Sequence, residues 1–315
     1  MAAHAGSSGP ARLSSAEFGA LYQRVRRQAP QGAADRGALD TITAAQVLAA
    51  VAEVRSGRTV TLAAPVETRP GPHDPDPAEH RMTGAVAGAI APRGLQFATD
   101  RFAMNVHGDA DSHLDALCHV IYDGTLHNGV PANSLTAAGA SALSLDVTRD
   151  GIVGRGVLLD IPRLRGVRWL DPGDHVTGDE LEAAEAAQHL QVTRGDLLFV
   201  RVGHRRRHRE LGAWDAAVAR AGLHPTAMEF LARRQVAVLG SDGNNDTAPS
   251  STQGVDFPVH VLAVHAMGLH LLDYLQFEDL VPLCEEADRW SFLCVIAPLR
   301  LPGATGAPVN PIAIF

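Results

Sequence analysis

Cysteine is scarce in this chain: Cys118, Cys284 and Cys294 are the only three among 315 residues. None is spaced as CxxC, which argues against a disulfide framework and against a cysteine zinc site, and fits a reducing compartment. Long apolar runs are also missing. The longest, Val259 to Leu272, is interrupted by three histidines and a glycine, and is too short and too polar to span a bilayer. The first eighteen residues, MAAHAGSSGPARLSSAEF, lack the apolar core of a signal peptide. Excess positive charge is absent, since the formal net charge is -8, which disfavours nucleic acid as a partner. There is no internal repeat and no glycine-rich phosphate loop. These absences leave a cytoplasmic protein acting on a small molecule, away from membranes.

What is present is a folding pattern. Hydrophobic residues make up 46% and charged residues 20% of the chain, ordinary values for a globular protein. The Ala/Gly/Ser-rich residues 1–14 are expected to be disordered. Thr43 before AAQVLAAVAEVRSG is placed to cap a helix that would end near Gly57, and TVTL (59–62) reads as a strand. The proline-rich ETRPGPHDPDPAEHR (67–81) reads as a loop, a lid or an excursion across another subunit. GVLLDI (156–161), DLLFVRVG (196–203) and VAVLGSD (236–242) read as buried strands. Between and after them, TGDELEAAEAAQHL, with a capping box from Thr177 to Glu180, and HPTAMEFLARRQ (224–235) read as helices. The alternation predicts an α/β fold. The charge run GHRRRHRE (203–210) reads as a solvated loop.

Fifteen histidines are many, and the densest ionisable stretch is DADSHLDALCH (109–119). In a strand His113 and Asp115 share a face; in a helix Asp115 and His119 are neighbours. Either geometry converges imidazole and carboxylate on one point, a donor set suited to Zn or Mn. Carboxylates this close would repel unless a cation sits among them, and one carboxylate can bridge two ions. Cys118, beside His119, reads as a buried small residue. Downstream, His260, His265 and His270 are spaced five apart, so one regular helix would fan them around its axis. A helix followed by a strand after Gly268 would separate them and leave Asp273 on the strand or its edge. Most of these histidines read as structural. Trp169, Trp214 and Trp290 serve equally as pocket lining or as core.

The stretch DADSHLDALCH resembles the metal-dependent cyclase family, which includes bacterial kynurenine formamidases and isatin hydrolases. That family's motif is H-x-G-T-H-x-D-x-P-x-H. His113, Asp115 and His119 match its second His, its Asp and its last His, and Ser112 stands for the Thr. Asp109 falls on the first His, Asp111 on the Gly and Leu117 on the Pro. The helix and strand after Leu39, the strands named above and GLHLLDYL follow the family's order through residues 38 to 281. Asp273 takes the place of the closing Glu. His260 best matches the downstream His, one residue further from the acid than usual.

The resemblance implies a swivelling β/β/α domain over residues 38–315, with mixed sheets and outer helices behind an N-terminal arm, 1–37. It implies one or two divalent ions held by His113, Asp115 and either Asp109 or Asp111, with His260 and Asp273 on a second ion. It implies hydrolysis of an amide, lactam or related carbonyl bond through metal-bound hydroxide, with His119 as general base and then acid. The alternatives it leaves are cyclisation or dehydration of a natural-product intermediate, and a lapsed, ligand-binding member. A homodimer or homotetramer is the assembly it implies.

Overall fold

A computed structural model describes residues 11–29 and 35–315. Of the stretch expected to be disordered, residues 1–10 lie outside the described residues. Residues 11–14 lead into the fold, with the Leu13 amide donating to the Ser251 carbonyl at 2.8 Å.

The three apolar runs that read as strands form the centre of a nine-stranded mixed sheet. Its strands, numbered along the chain, are β1 (Thr59–Thr61), β2 (His113–Asp115), β3 (Ile152–Asp160), β4 (Leu197–Arg201), β5 (Val238–Ser241), β6 (His270–Asp273), β7 (Ser291–Ile296), β8 (Gly306–Pro308) and β9 (Ile312–Ile314). Their order is β1-β9-β7-β3-β4-β5-β6-β2-β8. The four central strands, β3 to β6, run parallel to one another. Helices cover such a sheet on both faces, which explains why LLFVR is buried at every position. The flanking pairs are antiparallel. The result is the α/β arrangement that the alternation predicts, with the mixed sheet and outer helices that the resemblance implies.

The helices follow their capping signals. Ser14 and Glu17 form a reciprocal box at the start of Ser15–Gln28, whose Phe18, Leu21, Tyr22 and Val25 are buried. Thr177 and Glu180 do the same for Gly178–Ala187. Thr43 caps Ala44–Val51, but that helix stops short of Gly57. Its last turn tightens into i→i−3 bonds, as from Val54 N to Val51 O. The segment 224–235 opens as a 3-10 turn, Pro225–Ala227, before the α-helix Met228–Arg234.

Two expectations need correction. GHRRRHRE is not a loop: His204–Leu211 is a helix. His204 is buried, and Arg205 turns inward to donate to the carbonyls of Ala110 at 2.6 Å, Leu275 at 3.2 Å and Tyr274. The run looks solvated because its other face is, with Arg206 pairing with Glu210. The proline-rich segment, for its part, continues into a hairpin of Glu79–Met82 with Asp100–Ala103. Met82, Ile90, Leu95, Phe97 and Phe102 are exposed along this excursion.

After β5 the chain reaches Pro258 and winds into a π-helix, Val261–Met267, which ends at Gly268 with φ +69° before β6 begins. Side-chain-free backbone is required there. The Ala38 amide donates to the Gly268 carbonyl at 2.8 Å, and a Cβ on the facing Gly37 would stand 2.2 Å from that oxygen. The predicted separation of His260 and His265 from His270 is thus realised. No helix among the described residues is long and apolar enough to cross a membrane.

Candidate metal centre

Strand β2 lies between β6 and β8, with His113 opposite Asp273 and Asp115 opposite Leu271. Alternation sends Leu114 into the core and His113 and Asp115 to the other face. Asp273, directly across from His113, shares that face. The His113 Nδ1 is bonded to the Asp111 carbonyl at 2.8 Å, which fixes the ring and leaves Nε2 3.6 Å from Asp115 Oδ1. That same oxygen lies 2.8 Å from Nδ1 of His107. His107, His113 and Asp115 form one group with ligand atoms within 4.8 Å of one another.

Asp115 faces a second group through its other oxygen. Oδ2 is 3.5 Å from His260 Nε2, and that nitrogen is 3.3 Å from Asp273 Oδ2. Asp115, His260 and Asp273 likewise hold their ligand atoms within 4.8 Å. His260 and Asp273 are oriented from behind. Asp246 sits 2.6 Å from His260 Nδ1 and accepts from the Val259 and His260 amides. Asp273 accepts from the Asn244 side chain at 3.0 Å and from the Asn245 amide at 3.1 Å. Such backing is how metal-binding imidazoles and carboxylates are usually held.

The electrostatics point the same way. Burial alone would raise Asp115, but the nitrogens of His107 and His260, with His119 and His113 nearby, hold it well below the usual carboxylate range. Burial would lower His260, yet Asp273, Asp115 and Asp246 raise it well above an ordinary imidazole. Asp115 Oδ2 is buried without a hydrogen-bond partner. A buried carboxylate oxygen left unpaired is costly, and a divalent cation held together with His260 and Asp273 would remove that cost. The donor set of imidazole nitrogen and carboxylate oxygen fits such an ion.

His119 stands beside the groups without joining them. Its ring stacks on His107, centroids 3.7 Å apart and planes 11° apart, and its centroid is 6.4 Å from that of His260. Burial pushes its pKa down to about 4, so the imidazole is neutral at neutral pH and able to accept a proton. His119 and the five residues of the two groups line a cavity of about 510 Å³. Its other walls include Val120, Ile121, Val255 and Phe257.

The structure therefore brings His113, Asp115, His260 and Asp273 together, with His119 adjacent. Asp109 and Asp111, also read as candidate ligands, lie outside both groups. Asp111 accepts from the Glu67 amide at 2.8 Å, and Asp109 accepts from the Tyr274 hydroxyl at 2.6 Å. The residue the spacing missed is His107, two positions before the place of the family's first His. It sits on the loop ahead of β2, where no periodicity marks it. Asp246 was also missed, within the polar loop SDGNND. Cys118 is buried, and burial pushes its thiol up to about 11, which leaves it inert. None of the three tryptophans lines the cavity; the aromatic side chains there besides the histidines are Tyr122 and Phe257.

Comparison with known proteins places the fold in a known family. A family described as "Putative cyclase" matches residues 58–245, more than half of the chain, including the segment from His107 to His119. No curated protein sequence matches. Among solved structures, a novel cyclase is 28% identical with a TM-score of 0.82, covering 93% of this chain and 99% of its own. An isatin hydrolase bound to the product analogue thioisatinate is 19% identical with a TM-score of 0.55, over 86% of this chain and 98% of its own. A structure titled as a potential metal-dependent hydrolase with cyclase activity is 20% identical with a TM-score of 0.50, over 81% and 98%. The last two share the fold.

Proposed function

Because the chain belongs to the cyclase family, we propose that it is a metal-dependent hydrolase acting on an amide, lactam or related carbonyl bond of a small metabolite. One observation carries the reading: the two oxygens of Asp115 face two separate ligand groups at the floor of a cavity large enough for a metabolite. A divalent ion, zinc or manganese, would be held by His107, His113 and Asp115, and a second by Asp115, His260 and Asp273. When bound, such an ion supplies Lewis-acid polarisation of a carbonyl and acidifies a water molecule.

The protein's own groups supply the rest. Neutral His119, stacked on His107, is placed to take a proton during attack and to return it to the departing nitrogen. Val120, Ile121, Val255 and Phe257 form an apolar wall that excludes water from one side of the substrate. The resemblance to kynurenine formamidases makes N-formyl aryl amides sensible first substrates. Three free cysteines favour a cytoplasmic setting. The exposed apolar residues on the 79–103 excursion favour a homodimer or homotetramer.

The test joins elemental analysis of protein purified without chelator to turnover of a panel of formamides, lactams and esters. Bound metal with turnover supports the reading. Stoichiometric metal in a folded protein that hydrolyses nothing in the panel overturns it in favour of ligand binding.

A further inference from the structure

Beside the metal centre lies a second cavity, of about 280 Å³, between the helix Ser15–Gln28 and the loop that follows His119. Helix positions 19, 22, 23 and 26 form one stripe, and Gly19, Tyr22, Gln23 and Arg26 supply that side of the wall. Tyr122, Asp123, Thr125 and His265 supply much of the other. Tyr122 also lines the larger cavity, so the two share a wall.

The floor of this second cavity is aromatic and its rim polar, the anatomy of a small-molecule pocket. Tyr22 and His265 are buried. The ring centroids of Tyr22 and Tyr122 lie 5.8 Å apart, and Tyr122 meets His265 edge-on at 5.7 Å. His265 donates from Nε2 to the Thr125 carbonyl at 3.1 Å, and burial keeps the ring neutral, so its Nδ1 accepts from the Tyr22 hydroxyl at 2.8 Å. Among the described residues no hydrogen bond reaches the Tyr122 hydroxyl. Gly19 is an independent sign. It sits inside a helix, where glycine is the least favourable residue after proline. Packing does not require it, since a Cβ there would meet no atom within 4 Å. Gly129, also on the wall, is by contrast required by its φ of +73°. What the glycine at position 19 does is leave the cavity open.

We propose that this cavity is a second ligand site, which takes a small, planar, uncharged ring with a lactam edge. The ring packs on the faces of Tyr22 and Tyr122. The lactam edge carries one donor and one acceptor; the Gln23 amide offers both kinds of partner, and the Tyr122 hydroxyl can give or accept a further bond. Arg26 and Asp123 put one charge of each sign on the wall, so a charged ligand would gain from one and lose to the other. Binding here needs neither an ion nor turnover, and stands apart from the hydrolase reading.

The probe is 5-bromo-2-pyridone, an uncharged lactam ring whose bromine is located by anomalous scattering. Soaked crystals of the metal-loaded protein should show a bromine peak between Gly19 and Tyr122, and calorimetry should show binding in solution. Gly19→Phe puts a ring in the same space and should weaken that binding by about tenfold or more. Phenylalanine holds a helix better than glycine does, so the melting temperature should not fall. Gln23→Leu keeps the volume, removes the amide and should weaken binding by about fivefold, the worth of one hydrogen bond. Bromine at the metal centre alone, a peak in this cavity without binding in solution, or a Gly19→Phe affinity within about twofold of the wild type overturns the proposal. Binding that Gly19→Phe abolishes, in a protein that hydrolyses no amide, keeps this site while the hydrolase reading falls. Turnover with no bromine in this cavity does the reverse.

Discussion

The imidazole of His107 lies flat on that of His119 while its Nδ1 reaches Asp115 Oδ1 at 2.8 Å. One side chain thus touches both a ligand carboxylate and the proposed acid-base group. His107→Ala should cost one equivalent of metal by elemental analysis and lower turnover at least a hundredfold, since a ligand and a stacking partner go together. Unchanged metal content would remove His107 from the ligand set. His113→Ala should lose metal in the same assay.

His119→Asn should behave differently. The ring makes no ligand contact in either group, so metal content should match the wild type. Loss of general acid-base catalysis should lower kcat by about 10²–10⁴ with little change in KM. A metal-depleted His119→Asn protein would make it a ligand instead.

Asp246 belongs to neither ligand group, yet it accepts from His260 Nδ1 and two backbone amides. Asp246→Asn should weaken metal binding by about 10–100-fold, the usual effect of removing an outer hydrogen-bond partner. Competition with a chromophoric chelator measures this. An affinity within twofold of wild type would show that His260 is oriented by packing alone.

Arg205 clamps the carbonyls of Ala110, Tyr274 and Leu275. Arg205→Met keeps the aliphatic stem and strips the donors. About 1.5–3 kcal/mol of stability should be lost, the worth of a hydrogen bond to a charged group, as read from the urea midpoint. A shift under about 0.5 kcal/mol, the range of ordinary surface substitutions, would return the charge run to the solvated role its composition suggested.

His270 makes the fold acid-sensitive. It is fully buried with neither ring nitrogen hydrogen-bonded, and burial pushes its pKa down to about 3. The unfolded chain takes up a proton near pH 6.5 and the folded chain does not, so stability is present above pH 6.5 and falls as pH drops toward 3. The slope contributed by this residue is about 1.4 kcal/mol per pH unit. Urea melts at pH 7 and pH 5 should show a smaller loss in His270→Leu than in the wild type. Equal losses would mean the ring gains a partner in solution.

Much of this was legible in the residues. The parallel strands announce themselves because a strand buried on both faces reads as an unbroken apolar run, as LLFVR does. His113 and Asp115 were readable because side chains two apart in a strand share a face. His107, by contrast, stands on an irregular loop, where sequence offers no period to place it. Arg205 was misread because a helix can bury one member of a charge run while its neighbours stay wet. The opposition of Asp273 to His113 depends on strand order, and no local pattern encodes that.

That opposition has a consequence for how the protein matures. Asp109 and Tyr274 lie 165 positions apart along the chain, and the ligands divide in the same way between the segments around β2 and β6. During synthesis the earlier histidines must wait, unmatched, until most of the polypeptide has emerged and the sheet has closed. Such distant pairings are slow to form. Loading of the ion is therefore a late event, and tight metal uptake should appear in refolding experiments only with the slowest phase.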